Sequence, residues 1–130
     1  MLKVSSLSNQ VLIQVESKYQ EEFSPLKNQE FIYSYTITIE NLNKFPIQLI
    51  SRKWLITNSD RQIEMVEGKG VVGLQPIINP NQKFSYTSGT QISTEIGKME
   101  GNYWMRNLIT QELFIVLIPA FILTPNFKNN

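Results

Sequence analysis

The sequence contains no cysteine and no histidine. Without cysteine there are neither disulfides nor thiolate metal sites, and a reducing compartment is the simpler expectation. Without histidine, the commonest general base and the commonest metal ligand are both missing. Aspartate occurs once, at Asp60, so carboxylate chemistry rests almost wholly on glutamate. Neither charge sign dominates: 12 basic against 11 acidic residues leave a formal charge of +1. That balance sets up no strong field, and neither nucleic acid nor an anionic membrane is expected as a partner. Long hydrophobic runs are missing too. The longest, Leu113 to Leu123, is interrupted by Pro119 and falls short of the ~20 residues of a membrane helix. Met1 to Ser6 carry no apolar stretch of the signal-peptide kind. A soluble, cytoplasmic protein without membrane insertion is the expectation.

What is present describes one all-β domain. A hydrophobic share of 42% against 18% charged places the 130 residues among globular chains. Residues 1–10 read as a polar lead-in, 11–124 as the folded domain and 125–130 as a polar tail. Period-two alternation marks strands in several places. Val11, Ile13 and Val15 alternate with Gln14 and Glu16. Phe31, Tyr33, Tyr35, Ile37 and Ile39 form the clearest apolar face, rich in the aromatic and β-branched residues that pleated surfaces favour. In the strand predicted over 47–57, Trp54 falls in phase with Ile50 and Ile56 as a core anchor. Further strands are predicted over 62–66, 83–88, 98–106 and 112–118; the last is apolar on both faces and therefore expected to be central. A polar loop with Pro25 is expected over 20–30. Seven or eight strands at this spacing describe an immunoglobulin-type antiparallel β-sandwich, with an open barrel as the weaker option.

Between two strand-like blocks lies Gly68-Lys69-Gly70-Val71-Val72-Gly73, which matches the pattern G-x-G-x-x-G. A dinucleotide site needs a helix after the glycines, with its N-terminus on the pyrophosphate. Here Leu74-Gln75-Pro76 and then Pro80 follow, which excludes one. Two readings remain. The glycines Gly68, Gly70 and Gly73, with Lys69 and a nearby Arg52, form an anion-binding concavity. Alternatively, and with more weight, they supply positive φ and close backbone approach in a loop.

Several blocks resemble the bacterial ApaG family and the ApaG domain of certain eukaryotic F-box proteins. They are Tyr35-Thr36-Ile37-Thr38-Ile39-Glu40-Asn41, Ser51-Arg52-Lys53-Trp54, the glycine segment through Pro76, Phe84-Ser85-Tyr86-Thr87-Ser88-Gly89-Thr90, Gly101-Asn102-Tyr103 and Ile118-Pro119-Ala120-Phe121. The resemblance implies a fibronectin type III-like sandwich, a link by name to cobalt resistance and magnesium efflux, and, in the eukaryotic domains, protein interaction. One departure stands out. Bacterial members often carry histidine after the arginine of the Ser-Arg-x-Trp motif, and here that position is Lys53, which offers no imidazole to a metal.

Other candidates are few. Arg52 and Lys53 point to opposite faces of a strand unless a bulge intervenes; the favoured reading gives Arg52 a loop to pin and leaves Lys53 solvated. Trp104 lies opposite Tyr103 and Met105 in the alternation, so Trp104 and Lys53 are the candidates for partner contact, and a second core face is the equal alternative for the tryptophan. The close acid pairs, Glu21-Glu22 and Glu64/Glu67, lack ligand spacing, and no cofactor or metal is expected. Serines without a histidine have no base to activate them. The sequence therefore reads as a non-enzymatic interaction module with an unidentified protein partner. The alternative is a module that binds phosphate, pyrophosphate or nucleotide through residues 68–73, with a phosphate-bearing small molecule as its ligand.

Overall fold

The computed structural model of the chain describes residues 2–20 and 30–125. The predicted loop over 20–30 and the tail beyond 125 thus lie almost wholly outside the described residues. Within them the chain forms β1 (Leu2–Ser8), β2 (Val11–Tyr19), β3 (Phe31–Asn41), β4 (Ile47–Asn58) and β5 (Ile63–Lys69). The short β6 (Ile77–Ile78) follows, then β7 (Lys83–Ile92), β8 (Gly97–Asn107) and β9 (Leu113–Leu123). One antiparallel sheet takes the order β1-β2-β3-β7 and the other β5-β4-β8-β9, with β6 pairing to β4. Among the described residues no helix is long and apolar enough to cross a membrane.

The two sheets face each other across residues the alternation had marked. Val11, Ile13 and Val15 of β2 and Tyr33, Tyr35, Ile37 and Ile39 of β3 are buried. From the other sheet come Trp54, Met99, Tyr103, Met105 and Phe121. At the centre Trp54 meets Tyr35 and Phe121 edge-on, with ring centroids 5.3 and 5.9 Å apart. Edge-to-face ring contacts of this kind add about 0.5–1.5 kcal/mol beyond area burial.

Four expectations need correction. Leu2–Ser8 is a strand rather than a loose lead-in: it pairs along its whole length with β2, and Val4 packs against the core. Trp54 is buried as expected, but its apolar companion before it is Leu49, not Ile50. A bulge between Leu49 and Ser51 shifts the phase of β4, so Ile47 and Leu49 point inward on one side of it and Trp54 and Ile56 on the other. Pro119 does not end its strand. It sits where the β8–β9 register slips between Met99 and Gly101, and a bulge is where a sheet tolerates proline. Finally, β9 is an edge strand rather than a central one. Its second apolar row, Leu113, Ile115 and Leu117, faces outward and is exposed.

Candidate functional site: the open side of the sandwich

The two long sides of the sandwich are built differently. On one side, β1 and β9 are laced together. Ser6 Oγ donates to the Leu117 carbonyl (3.1 Å), the Leu117 amide donates to Ser8 Oγ (2.9 Å), and Asn9 Nδ2 donates to the Ile115 carbonyl (2.6 Å). The polar residues of the supposed lead-in thus occupy backbone groups along the β9 edge, which blunts that edge.

The opposite side ends in β5 on one sheet and β7 on the other, and no described strand bridges them. The Gly70 amide donates to the Ile50 carbonyl at 2.8 Å. With that pair bonded, antiparallel alternation turns the backbone groups of Ile63, Met65 and Glu67 away from β4. Between the two edges runs a groove of three connected cavities. The middle one, about 290 Å³, is lined by Tyr35, Arg52, Trp54, Glu64, Val66 and Ser88 among others. It shares Tyr35, Arg52, Trp54 and Ser88 with a cavity of about 240 Å³ that also touches Lys69, Gly73 and Tyr86. It shares Ile56, Glu64 and Gln91 with a third of about 280 Å³, bordered by Glu30 and Ser93.

Arg52 stands at the hub. Directly opposite it on β5 is Gly68, and a Cβ there would lie 2.5 Å from Arg52 Nη1. The glycine makes room for the guanidinium, which reaches past it and donates through Nη1 to the carbonyls of Gly70 (2.9 Å) and Lys69 (3.3 Å). Arg52 therefore pins the segment after β5, as the sequence reading favoured. Among the described residues it forms no ion pair with a carboxylate.

The glycine segment is a tight reversal. Val71 and Leu74 exchange two backbone hydrogen bonds of 2.8 Å, and the two residues between them, Val72 (φ 43°) and Gly73 (φ 81°), both have positive φ. That is the type I′ geometry. Gly70, with φ 64°, sits so close to the Leu74 carbonyl that a Cβ would lie 2.1 Å from its oxygen. The amides of Gly70, Val71 and Leu74 are thus already bonded within the chain, and the carbonyls of Lys69 and Gly70 face a cation. The Gly70 amide is therefore not free to join a phosphate cradle of glycine amides. What does converge is the Arg52 side chain with the hydroxyl-bearing Tyr35, Tyr86 and Ser88, in a cavity that Lys69 also borders; opposite Ser51, Lys69 turns its side chain toward the outer face of the sheet.

Lys53 and Trp104 lie elsewhere. Both sit on the outer face of the β5-β4-β8-β9 sheet, since Ser51 pairs with Trp104 and Lys53 with Asn102. The bulge precedes Arg52, so Arg52 and Lys53 keep opposite faces. Trp104 is 41% exposed, which settles its alternatives against a second core face.

Sequence reasoning missed the tyrosine cluster behind Arg52. Tyr86 and Tyr103 share a buried hydroxyl–hydroxyl hydrogen bond of 2.6 Å. Burial pushes the phenols of Tyr35, Tyr86 and Tyr103 upward, and the Arg52 charge pulls each of them partly back. The available signal was tyrosine, rather than phenylalanine, at inward positions on three different strands, because a buried hydroxyl requires a partner. Pairing between distant strands could not be read from one sequence.

These features define a class: a small antiparallel β-sandwich protein with one laced side and one open, grooved side. Within that class the chain belongs to the ApaG family, whose ApaG domain matches residues 21–107. It is 46% identical over 122 residues to Protein ApaG of Enterobacter sp. (strain 638), covering 92% of this chain and 96% of that one. Against Protein ApaG of Escherichia coli O1:K1 / APEC it is 47% identical over 98 residues, 75% of this chain and 78% of the relative. The crystal structure of the ApaA protein from Bordetella pertussis superposes with a TM-score of 0.86 at 34% identity, covering 98% of this chain and 99% of that one. The resemblance drawn from the sequence blocks therefore holds.

Proposed function

We propose that the chain is a non-enzymatic interaction module that takes an extended segment of another protein along its open side. The observation that carries this reading is the asymmetry of the sandwich. The β9 edge is occupied by Ser6, Ser8 and Asn9, while β5 turns backbone groups outward beside a groove, where no described strand pairs with them. An incoming strand would gain main-chain hydrogen bonds from β5 and side-chain contacts from the groove, which is the strand-addition mode of recognition. Panning a phage-displayed random peptide library on the pure protein tests it. The control is Met65→Pro, which deletes an outward-pointing amide but no bond of the β4–β5 ladder. Enriched peptides should lose binding to Met65→Pro. Enrichment no better than on an unrelated sandwich domain, or binders indifferent to that variant, would refute the reading.

A second reading is favoured by one observation, the cavity lined by Arg52 and bordered by Lys69, whose lining among the described residues includes no carboxylate. In this reading the 240 Å³ cavity holds the phosphate of a small molecule against the Arg52 guanidinium, with Lys69 at its border. Amide NMR titration with pyrophosphate and ATP, with and without Mg²⁺, reads it out. Saturable shifts around Ser88 and Lys69 that vanish in Lys69→Ala support it, and flat spectra at millimolar ligand end it. A role in divalent-cation homeostasis rests on the family association alone. Among the described residues no group of three or more acidic side chains is placed to hold a metal ion.

A further inference from the structure

The groove is electrically polarised along its length. Its cavity at the Gly70 end is lined by Arg52, bordered by Lys69, and among the described residues takes no carboxylate. Its cavity at the other end is lined by Glu30 and Glu64 and, among the described residues, by no lysine or arginine. The positions that set this polarity on β5 are in phase. Glu64, Val66 and Gly68 stand opposite Ile56, Trp54 and Arg52 on β4, so all three turn toward the groove. From Glu64 to Gly68 is four residues, about 13 Å of extended chain.

We infer that the segment bound along β5 carries an acidic side chain and, four residues later, a basic one, separated by a central apolar residue. This rests on the strand-addition reading above and adds the partner's chemistry and direction. An incoming strand antiparallel to β5 meets the Gly68 end first. Its side chain opposite Gly68 finds no Cβ in the way and points to the Arg52 guanidinium, so it is an aspartate or glutamate. Two residues on, the side chain opposite Val66 enters the middle cavity beside Trp54 and Met99, which suits a medium apolar group. Two residues further, the side chain opposite Glu64 meets carboxylates, so it is a lysine or arginine. All three share parity, as a strand requires for side chains on one face. The reverse charge order, on the same strand direction, places like charges together at both ends and is disfavoured.

Two capped synthetic nonapeptides test this, one centred on Glu-Thr-Val-Thr-Lys and the other on Lys-Thr-Val-Thr-Glu, with binding read by fluorescence anisotropy. The acid-first peptide should bind about tenfold more tightly at low salt, with the margin shrinking as ionic strength rises. The variant Glu64→Lys alters an exposed side chain only and should erase the preference. Equal binding of the two peptides, or a preference unchanged in Glu64→Lys, overturns the charge pattern while leaving strand addition intact. If neither peptide binds while library panning yields Met65-dependent binders, the charge pattern alone is refuted. If panning also fails, the strand-addition reading falls with it.

Discussion

Gly70→Ala should be the most destabilising of three alanine substitutions in the segment 68–73, because each glycine is required for a different reason. At Gly73 the need is conformational only: φ is 81° and an added Cβ meets nothing within 4 Å. Left-handed backbone costs a residue with a Cβ about 1–2 kcal/mol, and Gly73→Ala should cost that much. At Gly68 the added methyl displaces the Arg52 guanidinium, whose contact is with a flexible side chain rather than with backbone. Losing a charged hydrogen bond costs ~1.5–3 kcal/mol, offset by ~0.5–1 kcal/mol that alanine gains over glycine in a strand. The net is about 1–2 kcal/mol. At Gly70 the two penalties coincide, since φ is 64° and the methyl would lie 2.1 Å from the Leu74 backbone oxygen. The reversal must move, and with it the carbonyl that receives Arg52. Strain and the lost bond together come to about 3–5 kcal/mol. In urea, with a slope near ~2 kcal/mol/M, that is a midpoint shift of about 1.5–2.5 M at constant slope. Val72→Asn is the counter-test. Valine at φ 43° is strained, asparagine tolerates the conformation, and Asn-Gly suits a type I′ turn, so this variant should gain about 1 kcal/mol. Gly70→Ala unfolding no earlier than Gly73→Ala would refute the close-approach argument, and a destabilised Val72→Asn would refute the turn assignment.

Three further outcomes are expected. Tyr103→Phe should cost about 1–3 kcal/mol in chemical denaturation because it orphans the buried Tyr86 hydroxyl, whereas the double variant Tyr86→Phe/Tyr103→Phe should cost less than the two single changes summed. Stability should fall as pH rises past ~10, the ordinary phenol value, by about 1.4 kcal/mol per pH unit for each tyrosine that stays protonated in the fold. The sign follows from the raised phenols of Tyr35, Tyr86 and Tyr103: the unfolded chain releases those protons first. A flat unfolding free energy between pH 8 and 11 would contradict it. Asn41→Ala should lower the melting temperature by about 10 °C. The Asn41 side chain is fully buried, donates to the carbonyls of Phe45 and Ile78 and accepts from the Asn43 amide, so truncation strands three polar groups.

The class of fold was legible because alternation is local. The inward set Tyr33, Tyr35, Ile37 and Ile39 follows from a period of two that any half-buried strand must obey. Local patterning failed where pairing between strands decides. The outward row Leu113, Ile115 and Leu117 carries the same letters as a central strand, and only sheet order shows it at an edge. The bulge after Leu49 is likewise invisible in composition, although it moves Ile50 out of the core.

The candidate site divides in the same way. Sequence alone excluded imidazole and thiolate chemistry, ruled out a helix after Gly73, and marked Arg52 as a residue suited to pinning a loop. Whether Arg52, Lys69, Tyr35, Tyr86 and Ser88 share a cavity was decided by the tertiary structure, because they come from β3, β4, β5 and β7, on two different sheets. Local sequence sets which way each side chain points along its strand. Which side of the sandwich closes and which stays open depends on pairings as much as 111 residues apart, such as Ser6 with Leu117, and only the folded chain brings those groups into contact.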